Sequence, residues 1–199
     1  MPDITRCRDH FYLWLRAQGM QQPAVLGGWV DDSRLRQLQR DEFLLHAGEQ
    51  QNFLYFLDQG LLRYVYTSPV GKERNKAFFA GPQLVGAASA AISGCEAPFS
   101  IQALEDSTLL ALPFDGLRRA THTEPEVAQL MISLLAAGFI RNEQREAMLL
   151  TCNAEQRYRW LQRHEPELLE RLPQHHLASY IGVDAVSLSR LKRKLLATG

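Results

Sequence analysis

The segment QHHLASYIGVDAVSLSRLKRKL, residues 174–195, decides how the C-terminal part of this chain is organised. Leu177 and Ile181 fall on one apolar side of a helix, and Gly182 can adopt the positive φ of a sharp turn. Asp184 is a good N-cap for a second helix, in which leucines recur at helical spacing: Leu188, Leu191 and Leu195. The segment therefore predicts two short helices joined by a tight turn.

The leucine spacing turns a small, polar and basic side of the second helix toward solvent. Val186, Ser189, Arg190 and Arg193 lie opposite the leucines. Such a side on the second of two closely joined helices is typical of a helix-turn-helix that reads DNA. The alternative is an ordinary C-terminal helix whose cations complement its dipole, and the segment alone leaves both interpretations open.

Charge is distributed unevenly along the chain. All 22 acidic residues and 18 of the 22 basic residues lie within residues 1–184, which gives that part a net charge of −4. The remainder carries +4, from Arg190, Lys192, Arg193 and Lys194. A short cationic helix on a protein of zero net charge suits local attraction to phosphate, so the charge pattern favours a DNA partner.

Length and composition are those of a soluble globular protein. A chain of 199 residues with 46% hydrophobic and 22% charged residues can form one large or two small domains. Its least polar run, residues 131–140, is shorter than the ~20 residues of a membrane span, and charged residues begin at Asp3, unlike in a signal peptide. We therefore expect a cytoplasmic protein without a membrane partner.

Residues with catalytic or metal-binding chemistry are scattered. Cys7, Cys95 and Cys152 are isolated, so they predict no disulfide framework, zinc site or iron–sulfur cluster. His175 and His176 are adjacent and would point to different sides of a helix. No phosphate-binding glycine loop, nucleophile elbow or Ser/His/Asp grouping is recognisable, so we expect no catalytic residues, no metal site and no enzyme.

The central part of the chain has a strand pattern. Gly48, Gly60, Gly71 and Gly81-Pro82 recur every 10 to 12 residues. Between and after them lie short runs rich in aromatic and aliphatic residues: 52–58, 61–67, 74–80, 99–103 and 107–112. Regular turns between short strands predict an antiparallel sandwich or roll.

Helices are expected on both sides of this roll. Residues 1–40 look helical, with a second helix starting at Asp31. A long helix is predicted from a capping box at Thr123 and Glu126 to about Leu150, or roughly 40 Å. The fold class is therefore α+β: an antiparallel β-roll with flanking helices, a long helix and a C-terminal helix-turn-helix.

The long helix also bears on assembly and domain organisation. Its apolar stripe contains Val127, Leu130, Leu134 and Ala137; the stripe either covers the roll or pairs with a second subunit, and the helix length favours a homodimer. Asn153 and Gln156 have capping-box spacing for a helix over 154–164. We place the domain junction near residues 150–154, between domains 1–150 and 151–199.

This order of elements resembles the Crp/Fnr family of bacterial transcription regulators, whose sensor is similar to cyclic-nucleotide-binding domains. The resemblance covers about residues 30–195 and includes Gly48, 53–60 (FLYFLDQG), 71–73 (GKE), 79–82 (FAGP), 97–107 (APFSIQALEDS), 177–182 (LASYIG) and 188–190 (LSR). It implies a homodimer that binds palindromic double-stranded DNA and contacts RNA polymerase.

The chain departs from the family in the nucleotide pocket. Members that bind cyclic nucleotides have a Gly-Glu pair and an Arg followed by Ser or Ala; here these places read Gly86-Ala87 and Phe99-Ser100. The missing guanidinium removes a charge-assisted contact of roughly 1.5–3 kcal/mol. Gly86, Ser89 and Ser100 still offer donors to an anion, but Ala87 and Phe99 suit an apolar effector or none, so no cofactor is assigned.

The DNA-reading positions depart as well. Where family members carry a Glu and an Arg, this chain has Val186 and Arg190. Arg190 can bind guanine O6 and N7, whereas Val186 can only touch a thymine methyl, so a different operator is expected. The expected phosphate-contacting residues are Ser187, Ser189, Lys192, Arg193 and Lys194.

A homodimeric regulator is the leading hypothesis, and two alternatives stay open. The first is a small-molecule-binding module whose C-terminal helices dock a protein partner, although the basic side of the last helix counts against it. The second is a cyclic-nucleotide receptor with an altered pocket.

Overall fold

The computed structural model describes the backbone of residues 3–197 and the side chains of residues 3–195. The N-terminal part contains α1 (Ile4–Ala17), a 3₁₀ turn (Pro23–Leu26) and α2 (Gly27–Asp31). Eight strands with one inserted helix follow: β1 (Arg34–Leu38), β2 (Phe43–Leu45), β3 (Phe53–Gln59), β4 (Leu61–Thr67), β5 (Glu73–Ala80), β6 (Gln83–Val85), α3 (Ala88–Ser93), β7 (Ser100–Ala103) and β8 (Ser107–Pro113). The C-terminal part is helical: α4 (Phe114–Thr123), α5 (Pro125–Thr151), α6 (Ala154–His164), α7 (Pro166–Arg171), α8 (Gln174–Tyr180) and α9 (Ala185–Ala197).

The strands form two four-stranded sheets, in the orders β1-β8-β3-β6 and β2-β7-β4-β5. β8 pairs antiparallel with both β1 and β3, and β7 pairs antiparallel with both β2 and β4. Gly60 closes the β3–β4 turn with a φ of 116°, and Ser107 lies where a Cβ at this position would stand. The predicted α+β fold with an antiparallel β-roll is confirmed.

One hydrophobic cluster ties the N-terminal helices and the start of α5 to the first sheet. Phe11 of α1 lies 5.0 Å from Phe56 of β3 and 6.0 Å from Trp29 of α2, between ring centroids. Val127 and Leu130 of α5 belong to the same cluster. Burying large aromatic rings removes much apolar surface from water, which holds these elements together.

Two local predictions were wrong. The helix expected from Asp31 is the strand β1, because Arg34–Leu38 pairs residue by residue with Ala111–Ser107 of β8, a partner that local patterns do not reveal. The second wrong prediction is the capping box of Thr123 and Glu126, because both side chains form other hydrogen bonds. The Thr123 hydroxyl donates to the Ala120 carbonyl, and the Glu126 carboxylate accepts from the backbone N–H groups of Gln21 and Gln22.

Other local predictions are confirmed. α5 runs from Pro125 to Thr151, and α6 begins after Asn153, whose capping box with Gln156 forms in both directions. Within residues 3–197, none of the helices is both long and apolar enough to cross a membrane.

The chain divides into two compact units. The first comprises residues 1–66 and 78–135, and the second comprises residues 67–77 and 136–199. The division falls inside α5 and within the β4–β5 hairpin, so the tip of this hairpin belongs to the same unit as the C-terminal helices. At the predicted domain junction, α5 ends at Thr151 and α6 begins at Ala154.

Candidate nucleic-acid interface

The helices α8 and α9 form the expected pair joined by a tight turn. Gly182 has a φ of 71°, and the Val183 N–H donates to the Ala178 carbonyl across the turn. The apolar sides of the pair are buried at Leu177, Ala178, Ile181 and Leu188. Left-handed backbone at Gly182 lets the chain reverse here, which fixes α9 against α8.

Asp184 caps α9 through Ser187. One carboxylate oxygen accepts from the Ser187 backbone N–H and the other from the Ser187 hydroxyl, both at 2.7 Å. The two hydrogen bonds from Ser187, the backbone one first, lower the pKa of Asp184. Because the Ser187 hydroxyl donates its single proton to Asp184, donation to a phosphate would break this hydrogen bond, whereas the backbone bond of the cap would remain.

The structure places most predicted readout residues on one exposed side of α9. Val186 is 60% exposed, and Arg190 and Arg193 are also exposed. Ser189 and Lys192 are half-buried, as the spacing of Lys192 relative to the leucines suggests. Valine and arginines together therefore form the outward side of this helix.

An open groove of about 420 Å³ runs between α8 and α9. Its lining consists of Gln174, His175, Ala185, Val186, Ser189 and Arg193. The Gln174 amide donates to the Ala185 carbonyl at 3.2 Å, which links the beginnings of the two helices. Gln174 and His175 were not among the residues that the sequence pattern predicted for the interface, although they lie in the first turn of the first helix of the pair.

Lys194 has a protein partner in this structure. Its Nζ lies 3.6 Å from a Glu155 carboxylate oxygen on α6, and the same carboxylate accepts from Arg159 at 3.0 Å. The hydrogen bond from Arg159, followed by the charge of Lys194, lowers the pKa of Glu155. Since the Lys194 side chain is 70% exposed, this ion pair is weak and does not prevent a phosphate contact.

The helix α5 has two apolar sides. Val127 and Leu130, from the predicted dimerisation stripe, are buried in the cluster with the roll, and Leu134 packs against it. These three residues therefore cover their own subunit, so assigning them to a subunit interface was wrong, whereas Ala137, the fourth residue of the stripe, is exposed. A different set of large apolar residues of α5 is exposed: Ile132, Leu135, Phe139, Ile140 and Leu150.

Three of the five predicted effector positions, Gly86, Ala87 and Phe99, lie at an aromatic cluster. The Tyr64 ring lies 4.4 Å from Phe79 and 4.8 Å from Phe99, between centroids, and all three rings are buried. The Gly86 N–H donates to the Tyr64 hydroxyl at 2.6 Å, and Ala87 is fully buried beside it. Phe99, at the position where the resemblance implies an arginine, therefore packs in this aromatic cluster.

The two serines that were predicted as donors to an anion are not part of this aromatic cluster. The Ser100 hydroxyl is buried and accepts from the Ala47 N–H at 2.9 Å. Ser89 is exposed on α3. Within residues 3–197, no group of three or more His, Cys, Asp or Glu side chains could hold a metal ion.

Comparisons with known proteins agree with this architecture. The family model for a cyclic nucleotide-binding domain matches residues 35–124. An anaerobic regulatory protein of Pasteurella multocida is 28% identical over 178 residues, which are 83% of this chain and 64% of that protein. This chain thus spans less than two thirds of the length of that relative.

Solved structures show the same fold. FixK2 from Bradyrhizobium japonicum has a TM-score of 0.73 at 18% identity, covering 84% of this chain and 86% of that one. A protein of Eubacterium rectale described as a transcriptional regulator of the Crp/Fnr family has a TM-score of 0.72 at 15% identity, covering 94% of this chain and 88% of that one. In its roll, its long helix and its terminal helix pair, the chain is similar to regulators of the Crp/Fnr family.

Proposed function

We propose that the protein is a transcription regulator that binds palindromic double-stranded DNA as a homodimer. The observation that carries the proposal is the exposed side of α9, on which Val186, Arg190 and Arg193 stand beside an open groove. An α-helix fits the major groove of B-DNA, and two such helices in a dimer read half-sites about 34 Å apart. In this proposal the protein acts in the cytoplasm and contacts RNA polymerase.

Arg190 supplies the main base contact in this proposal. A guanidinium can donate to both O6 and N7 of guanine, and such a pair discriminates by about 1–3 kcal/mol per contact. Val186 offers only an apolar surface, which suits a thymine methyl. Arg193, Lys192, Lys194, Ser187 and Ser189 are assigned to phosphates, and Gln174 and His175 join them from the beginning of α8.

The dimer is proposed to form through the exposed apolar side of α5. Ile132, Leu135 and Phe139 recur at intervals of three and four residues, which is the spacing of a coiled-coil seam. Leu150 continues this side near the helix end. Exposed apolar side chains at this spacing lose contact with water when the same helix of a second copy covers them.

An effector, if the roll takes one, is proposed to be apolar rather than a cyclic nucleotide. Tyr64, Phe79 and Phe99 present rings, and Gly86 has its N–H bonded to a tyrosine hydroxyl. Calorimetry with cyclic AMP and cyclic GMP tests this, because micromolar binding of either nucleotide would contradict the assignment.

Selection of random duplexes by the purified protein tests the DNA-binding function. We expect a palindromic sequence to be enriched, and Arg190→Ala to remove the preference for it over random DNA. Lys194→Ala is the matched control, since loss of a phosphate contact weakens both kinds of DNA alike. Equal operator preference in wild type and Arg190→Ala would exclude the assigned role of Arg190.

Failure to enrich any duplex at low salt would instead favour a module whose terminal helices dock a protein. The groove between α8 and α9 contains Val186, an exposed apolar residue that either kind of partner could cover. Low salt is the discriminating condition, because attraction to phosphates is strongest there.

A further inference from the structure

The helix α8 has a second side, away from the groove, that contacts the beginning of β5. Asn75 of β5 is only 2% exposed. Its backbone N–H donates to the Ser179 hydroxyl at 3.0 Å, and its side-chain amide donates to the His176 carbonyl at 3.1 Å. The same amide lies 3.2 Å from His176 Nδ1. One buried residue of the β4–β5 hairpin thus bonds to two residues of α8.

Arg145 of α5 joins the same contact. Its Nη2 donates to the Asn75 carbonyl at 2.9 Å and to the Tyr180 carbonyl at 2.8 Å. The guanidinium also lies 4.7 Å from the centroid of the Tyr180 ring. One nitrogen of the guanidinium therefore bridges β5 and the end of α8 while the cation lies over the Tyr180 ring. A lysine side chain is one bond shorter and has no plane to lie against the ring.

Neighbouring residues strengthen this junction of α5, β5 and α8. The Tyr180 hydroxyl donates to the Glu165 carboxylate at 2.7 Å, and Tyr180 is almost completely buried. Lys76, next to Asn75, donates to the Asn142 side chain on α5 at 3.4 Å. Burial, followed by the charges of Arg141 and Arg145, lowers the pKa of Lys76.

The junction and the reading groove use different sides of α8. His176, Ser179 and Tyr180 have i, i+3, i+4 spacing and face β5 and α5, whereas Gln174 and His175 line the groove. Since the groove stays open while α8 is bound to the hairpin, this contact orients the helix pair and does not block it.

We propose that Asn75 and Arg145 are positioning residues for DNA reading, which hold α8, and through it α9, at the orientation that the operator requires. The proposal rests on the DNA-binding function proposed above.

The experiment combines operator binding with hydrogen–deuterium exchange of the amides of α8. Asn75→Ala removes the side-chain bonds to His176, and we expect operator affinity to fall about tenfold and exchange of α8 to increase. Val70→Ala, on the exposed turn of the same hairpin, is the matched control and should change neither quantity.

Arg145→Lys separates bridging from charge. Lysine keeps the positive charge, but its ammonium ends one bond short of the Nη2 position and has no plane to lie over the Tyr180 ring, so we expect Arg145→Lys to behave like Asn75→Ala. Full operator affinity in Arg145→Lys or in Asn75→Ala, or tighter binding by either variant, would overturn the proposal. Ser179→Ala, which removes one acceptor from a half-buried position, replaces Asn75→Ala if that variant does not fold, with the same two outcomes expected.

Failure of the proposed function is distinguishable from failure of this inference. If wild type enriches no duplex, the DNA-binding proposal fails. Exchange of α8 then still shows whether Asn75 and Arg145 hold this helix, and unchanged exchange in both variants would refute that part independently.

Discussion

Replacing Phe139 by alanine should weaken the proposed homodimer strongly. The residue is 63% exposed in a single chain. A phenylalanine side chain has a surface of about 200 Å², so roughly 125 Å² of Phe139 is exposed. Burying this surface in the dimer contributes about 3 kcal/mol at about 25 cal/mol per Å². Alanine retains about a third of this surface, so the loss is about 2 kcal/mol per copy and about 4 kcal/mol per dimer, an upper bound of about three decades in the dimer Kd.

Sedimentation over a dilution series measures this Kd directly. Leu13→Ala is the matched control, because Leu13 is similarly exposed at 60% but lies on α1. Operator affinity should fall in parallel for Phe139→Ala, since a monomer contacts only one half-site. A wild-type protein that stays monomeric throughout the series, or a Phe139→Ala protein with the wild-type Kd, would refute the assignment of this side of α5.

Two further predictions concern the C-terminal unit. Leu188→Ala should lower the free energy of unfolding by about 2–5 kcal/mol, because Leu188 is completely buried. Val186→Ala, on the exposed side of α9, should change it by no more than about 0.5 kcal/mol. Denaturant unfolding of both variants checks this, and equal losses would contradict the packing described. Burial is the main cause that raises the pKa of Glu165. The protonated carboxyl of Glu165 therefore stabilises the fold below the ordinary carboxyl pKa, and this stabilisation is lost as pH rises through the raised pKa. The free energy of unfolding of wild type relative to that of Glu165→Gln should therefore decrease as pH rises above about 4.5. A difference that is constant or grows with pH would contradict a raised pKa of Glu165.

Predictions that depended on neighbouring residues in the chain were confirmed. The turn at Gly182, the Asp184 cap and the Asn153 capping box all form, because a positive φ or a capping oxygen acts within a few residues. Predictions failed where a distant partner competed. The residues after Asp31 became β1 by pairing with β8, and Glu126 turned to the backbone of Gln21 and Gln22.

In the candidate interface, too, local features could be predicted from the sequence, whereas contacts between distant residues could not. The exposed side of α9 follows from the spacing of its leucines, so Val186, Arg190 and Arg193 could be identified from sequence. The ion pair between Lys194 and Glu155 could not be identified in this way. The position of Gln174 and His175 in the lining of the groove could not be identified either. Each of these contacts joins residues that lie on different helices.

By itself, the sequence determined that a β-roll lies between helical parts, that a helix pair forms near the C-terminus, and that the outward side of its second helix is polar and basic. Only the tertiary structure decided which apolar side of α5 is covered and which remains free, and that Asn75 binds the back of α8. The physical reason is range: periodicity and caps act within one or two turns of chain. Burial and hydrogen bonding between residues about a hundred positions apart depend on where the whole fold brings them together.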